Sequence, residues 1–206
     1  MTDGTGSLLA ISDLHVGFGE NRRLVEGLRP GSDSDWLLFT GDVAERVADV
    51  EWALRTLSHR FETVVWVPGN HELWTPKDDP VQLRGEQRYR HLVQMCRGLG
   101  VVTPERRLAA RDTSMPTVLV NHFPLVREPT LVLRLPRFAL WCGTERTAEW
   151  HLKYQAAAVV YGHLHIRRTM WHDGVRFEEV SLGYPREWGR RGGPGGLRRV
   201  LPAGPP

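Results

Sequence analysis

Five short apolar runs, far apart in the chain, each end in a turn that carries a metal-binding residue type. Leu8 to Ile11 leads to Asp13-Leu14-His15, and Trp36 to Phe39 leads to Gly41-Asp42. Val64 to Val67 leads to Gly69-Asn70-His71-Glu72, and Val118 to Val120 leads to Asn121-His122. Ala156 to Tyr161 leads to Gly162-His163-Leu164-His165. Short continuous apolar runs closed by turn residues read as strands buried on both faces. Helical periodicity lies between them: Val47, Val50, Ala53, Leu54 and Leu57 mark one face, and Leu83, Tyr89, Leu92, Val93 and Cys96 a second. A third helix is expected over Thr144 to Tyr154, with Thr144 as its cap. This alternation predicts an α/β sheet covered on both sides. Ligands of such sheets bind at the carboxyl ends of the strands, so all five polar pieces can converge there.

Thr169-Met170-Trp171 and Val175 to Val180 flank Asp173-Gly174, a hairpin signal. The 206 residues, 41% of them hydrophobic, suit one globular domain, drawn here over residues 1–188. Residues 189–206 are rich in Gly, Pro and Arg and are expected to form a flexible tail. That segment holds four arginines and no acid, so it carries +4 against a net charge of +3 and leaves the body at −1, near neutral. A broad nucleic-acid footprint needs a basic body and is disfavoured. Cys96 and Cys142 make no metal or disulfide pattern and read as reduced, packed residues. The first residues lack the charged start and apolar stretch of a signal peptide, and no run approaches a membrane span. A cytoplasmic protein without a membrane partner is expected.

Taken singly, each polar piece reads as a turn, a helix cap or a hydrogen-bonded structural histidine. Five at equivalent strand ends read differently. They supply Asp13, Asp42, Asn70, His15, His122, His163 and His165, with His71 in addition. In an extended segment alternate side chains share a face, so Asp13 with His15, and His163 with His165, can reach a common site. Glycines 41, 69 and 162 allow sharp turns beside it. Mixed oxygen and nitrogen donors suit Mn, Fe, Zn, Co or Ni better than Ca or Mg, with manganese favoured. Two such ions side by side are a device for attacking phosphate esters with water.

These elements resemble the calcineurin-like metallophosphoesterase family, whose pattern is D-x-H, G-D, G-N-H-[DE], a later histidine turn and G-H-x-H. The resemblance runs from about Leu8 to Ser181. It implies a four-layer sandwich, two mixed β-sheets flanked by helices. It implies that one ion takes Asp13, His15, Asp42 and His165, and the other Asp42, Asn70, His122 and His163. A hydroxide bridging the metals would attack the phosphorus. His71 and the bridging Asp42 would form the catalytic pair, His71 contacting the phosphate or protonating the leaving oxygen. His71 follows Asn70 directly, so its side chain is expected to point elsewhere than into the ligand set. Glu72 reads as a local support, and His59, His91, His151 and His172 as surface or structural residues.

Residues 70–76, 81–93, 121–131 and 171–188 further resemble the actinobacterial 4′-phosphopantetheinyl hydrolases, which free the phosphopantetheine arm from acyl carrier proteins. The implied partner is a phosphate-ester substrate on a carrier protein. A small-molecule or nucleotide phosphatase or pyrophosphatase is the alternative enzyme, and a non-catalytic scaffold the alternative outside enzymes. The segment between Gly100 and Thr117 is short for the family. Pro124 to Trp141 mixes Arg127, Arg134 and Arg137 with apolar residues, and reads either as a packed connection or as a lid or docking face at the mouth of the site.

Overall fold

Side-chain alternation along the first strand, β1 (Leu8–Ile11), sets up the layers. Leu9 and Ile11 face one apolar cluster, while Leu8 and Ala10 face another. The structure, a computed structural model, describes residues 6–105 and 114–202.

The first sheet has the order β3-β2-β1-β8, built from β2 (Trp36–Thr40), β3 (Thr63–Val67) and β8 (Arg198–Leu201) around β1. Its first three strands are parallel and β8 is antiparallel to β1. The second sheet has the order β4-β5-β7-β6, from β4 (Thr117–Val120), β5 (Ala156–Tyr161), β6 (Thr169–His172) and β7 (Val175–Glu179). β4, β5 and β7 are parallel, and β6 closes an antiparallel hairpin with β7. Small residues, including Ala10, Ala158, Val160, Val180 and Val200, pack the two sheets together.

Helices α1 (Gly19–Gly27), α2 (Val47–Ser58) and α3 (Gly85–Gly98) cover the outer face of the first sheet. α2 carries the predicted apolar face, and α3 buries Leu92, Val93 and Cys96 of its predicted face, while Leu83 lies before the helix. α1 escapes sequence periodicity because it buries only Asn21 and Val25. Short pieces cover the outer face of the second sheet: 3-10 turns at Glu128–Val132, Pro136–Trp141 and Glu145–Thr147, then the four-residue α4 (Trp150–Lys153). The expected helix over Thr144 to Tyr154 is therefore broken in two. Thr144 does cap the first piece, its hydroxyl accepting from the Arg146 amide.

The tail expectation is corrected. After α5 (Pro185–Arg190) the chain returns as β8 and seats Val200, fully buried, between the sheets. A short edge strand with basic neighbours and one buried residue leaves too little apolar pattern to read. Val101-Val102 adds a single bridge beside β3, from Val102 to Val65. Residues 106–113 of the short connection lie outside the described residues, as do 1–5 and 203–206. Cys96 and Cys142 are free and buried. No helix among the described residues is long and apolar enough to cross a membrane.

Candidate metal centre

The five polar pieces meet at the carboxyl ends of β1, β2, β3, β4 and β5. They do not meet by strand alternation. Asp13, His15, Asp42, His163 and His165 all have positive φ, between 43° and 71°, and are five of the seven such non-glycine residues among those described. Each costs on the order of 1–2 kcal/mol. Five together rival the ~5–15 kcal/mol net stability of a whole domain, so strong local contacts must hold them. Between the paired donors, Leu14 anchors in the first core and Leu164 in the second, which levers their neighbours toward the cleft.

Each aspartate has one oxygen tied down and one turned inward. Asp13 Oδ2 accepts from the Ser12 and Ser181 hydroxyls and from the His163 amide at 3.0 Å, while Oδ1 stands 3.0 Å from His165 Nε2. Asp42 Oδ1 accepts from the His71 amide at 2.9 Å, while Oδ2 stands 3.3 Å from His122 Nε2. His15 Nε2 lies 3.4 Å from His165 Nε2, and His163 Nδ1 lies 3.3 Å from His122 Nε2. Asn70 Oδ1 is 3.2 Å from the same His122 nitrogen. The donors form two lobes, Asp13/His15/His165 and Asp42/His122/His163, and a third grouping links His15 to Asp42 and His71.

This donor set fits metal ions. Imidazole nitrogens facing one another and a carboxylate at 3.0–3.4 Å match the spacing of ligands around ions with bonds of about 2.0–2.2 Å. The tautomers agree. His122 Nδ1–H donates to the Thr40 carbonyl at 2.8 Å, and His165 Nδ1 is 2.7 Å from Glu187 Oε2, so both present Nε2 to the cleft. Burial pushes His15 and His163 down to about 4, which keeps them neutral. Burial also opposes charge on His122 and His165, but Asp42 lifts the first to about 9, and Asp13 with Glu187 lifts the second to about 10. Burial works to raise Asp13, yet the His165 hydrogen bond and the neighbouring imidazoles hold it well below the usual carboxylate range. The cleft thus draws positive charge to its carboxylates.

The glycines serve two different ends. Gly41 has φ +83° and needs its freedom to turn. Gly69 and Gly162 are instead close-approach positions: a Cβ would lie 2.1 Å from Asp42 Oδ1 and 2.3 Å from Asp13 Oδ2, respectively.

Residues 6–167 match the calcineurin-like phosphoesterase family. The chain belongs to that family. This phosphoesterase is a metal-dependent phosphoric ester hydrolase. It is 43% identical to the acyl-carrier-protein phosphodiesterase PptH of Mycobacterium tuberculosis, over 95% of this chain and 83% of that protein. The crystal structure of the phosphopantetheinyl hydrolase PptH from Mycobacterium tuberculosis superposes with a TM-score of 0.93 and 42% identity, over 97% of each chain.

In the phosphoesterase His71 lies closer to the donors than expected, and its supports carry no sequence signal. The His71 side chain does not turn away: Nε2 is 3.7 Å from Asp42 Oδ2, and the ring packs on Trp74 with centroids 3.9 Å apart. Its Nδ1 is 2.6 Å from Oε1 of Glu45, which lies three positions after Asp42 in a loop with no periodic signal. Glu72 is the expected support, accepting from the amides of Asp42, Val43 and Gly69. Arg88, fully buried, pairs with Asp79 at 3.0 Å and donates to the carbonyls of Glu45 and Glu72. Tyr184 stacks on His15 with centroids 4.4 Å apart, and Glu187 fixes His165. Asn121 stays outside the donor set and donates to the Phe123 carbonyl.

Glu187 gives a direct check on this support. Glu187→Ala frees the His165 ring, and metal titration of the purified variant should show affinity about 10–100-fold weaker than wild type. Unchanged affinity would mean that Glu187 does not orient His165.

Proposed function

We propose that this chain hydrolyses the phosphodiester that joins a 4′-phosphopantetheine arm to an acyl carrier protein. The observation that carries the reading is the 43% identity with an acyl-carrier-protein phosphodiesterase along nearly all of the chain. In this reading Asp13, His15, Asp42 and His165 would hold one ion and Asp42, Asn70, His122 and His163 the other, with Asp42 shared between them. Bound there, a divalent pair supplies the Lewis acidity that ionises water and offsets phosphate charge. Manganese is the first candidate, since two carboxylates and an amide are hard oxygen donors. The enzyme works in the cytoplasm, where its carrier substrate would be made.

His71 stands at the edge of the donor set, clamped by Glu45 and Trp74. From there Nε2 gives its proton to the oxygen that departs from phosphorus, so the carrier leaves with a free hydroxyl. Glu45 keeps the imidazole turned to that task, and Arg88 holds the Glu45 carbonyl.

The substrate side of the reading rests on the lip after His122. Leu131, Leu135, Phe138, Leu140 and Trp141 are exposed there, among the exposed Arg127, Arg134, Arg137 and Arg146. Contiguous exposed apolar area of this kind marks a contact surface. It adjoins the donor set, for the Phe138 ring stacks toward His163 at 6.2 Å and Phe123 lies 4.6 Å from it. A cavity of about 420 Å³ opens beneath, lined in part by Pro124, Arg127, Pro136, Leu140 and Gly143. An acidic carrier meets the arginines, and its long arm reaches past the apolar lip to the cleft.

Incubation with holo-carrier protein should release phosphopantetheine, which mass spectrometry detects. Paired Arg134→Glu and Arg137→Glu changes should raise KM for the carrier about tenfold or more and leave hydrolysis of a small aryl phosphodiester near wild type. Turnover of nucleotides or small phosphate esters with no release from carrier would move the reading to a small-molecule phosphatase. His71→Ala should retain the wild-type metal content and lose about 10²–10⁴-fold in kcat. Loss of metal in that variant would transfer His71 to the ligand set.

A further inference from the structure

A second group of metal-type donors lies at the opposite end of the second sheet. His151 sits on α4, His172 ends β6, and Asp173 opens the turn to β7. In register, β7 begins beside the start of β5, whereas the cleft donors follow its last residue. With about 3.3 Å per residue, the six residues of β5 put roughly 16–20 Å between the two places.

We propose that His151, His172 and Asp173 form a further metal site, for a zinc ion, that pins α4 to the β6–β7 hairpin. His151 Nε2 is 3.2 Å from Asp173 Oδ2, and His172 Nε2 is 3.5 Å from the same oxygen. Ligand atoms of a tetrahedral zinc stand about 3.3 Å apart when the bonds are about 2.0–2.1 Å. The two imidazoles meet with centroids 5.2 Å apart at 55°. The paired imidazoles of the cleft meet in nearly the same way, at 5.3 Å and 66° for His15 with His165, and at 5.1 Å and 76° for His122 with His163. Two histidines and one carboxylate, with one position open to solvent beside the exposed Asp173, are a zinc-type set.

The surroundings hold the donors in place. His151 is 1% exposed, and its other ring nitrogen, Nδ1, is buried with no partner, so the ring's polar hold on this spot comes through Nε2 alone. Both imidazoles stand edge-on to the buried Phe177 ring. Glu128 Oε2 lies 3.9 Å from His172 Nδ1, on the side away from Asp173. A small rotation lets that carboxylate take the Nδ1 proton in a hydrogen bond and leaves the Nε2 lone pair for the ion. A four-residue helix is too short to persist without tertiary ties. A zinc ion between α4 and the hairpin turn is such a tie, in the layer with the least helical cover.

The test compares the purified full chain with His172→Ala and Asp173→Asn, all dialysed against low-micromolar Zn²⁺. Asn-Gly is as good a hairpin turn as Asp-Gly, so the second variant keeps its fold. Mass-spectrometric metal counting should find one zinc ion fewer in each variant than in wild type. The rise in Tm on adding zinc should shrink in both, while hydrolysis of a small phosphodiester stays at the wild-type rate. Equal zinc counts in all three proteins, or an undiminished zinc-dependent Tm rise in Asp173→Asn, would overturn the proposal and leave an imidazole–carboxylate hydrogen-bond cluster. A different occupancy of the main cleft moves all three counts together and does not touch the difference.

Discussion

Burial of two carboxylates between two sheets is the constraint on which the rest of this structure depends. Asp13 is fully buried and Asp42 2% exposed, a placement that costs several kcal/mol for an ionised group left alone. Neither is alone. Hydroxyl and amide donors tie one oxygen of each, and imidazoles from the other strand ends meet the second. Those contacts also hold five left-handed backbone positions that would otherwise drain the fold's stability. Divalent cations in the cleft would complete the same balance, which ties metal binding to the local fold.

Around that centre the support is layered. Ser12 and Leu182 cross-link the two sheets through backbone bonds beside Asp13, and Asn21 joins the Leu14 and Gly183 carbonyls. Glu72 clamps the turns after β2 and β3 into one body, and Arg88 carries that body onto α3. On the far side, the cover of the second sheet is built from 3-10 turns with exposed apolar and basic residues. One side of the cleft is therefore tied by buried hydrogen bonds, and the other carries exposed apolar and basic side chains.

Much of this was legible from sequence, for identifiable reasons. Continuous apolar runs such as Val64–Val67 and Ala156–Tyr161 do form strands, although Val65 and Val67 are only half-buried and Ala157 is exposed, and their ends locate the cleft without any tertiary knowledge. The family pattern then named the donors. The donors do not converge through strand alternation. Left-handed backbone, with Leu14 and Leu164 driven into separate cores, aims the donors where strand alternation had been expected. Glu45, Tyr184 and Glu187 were not legible because they approach from loops and a short helix with no periodic signal. β8 was hidden for a similar reason, since a single buried Val200 amid glycine, proline and arginine reads as tail.

Metal-edge anomalous diffraction from crystals of the metal-loaded protein tests the central claim most directly. Two peaks are expected about 3.5–4 Å apart, one within reach of Asp13, His15 and His165, the other of Asn70, His122 and His163, with Asp42 touching both. Peaks lying elsewhere, or a cleft that stays free of metal after loading, would contradict the account.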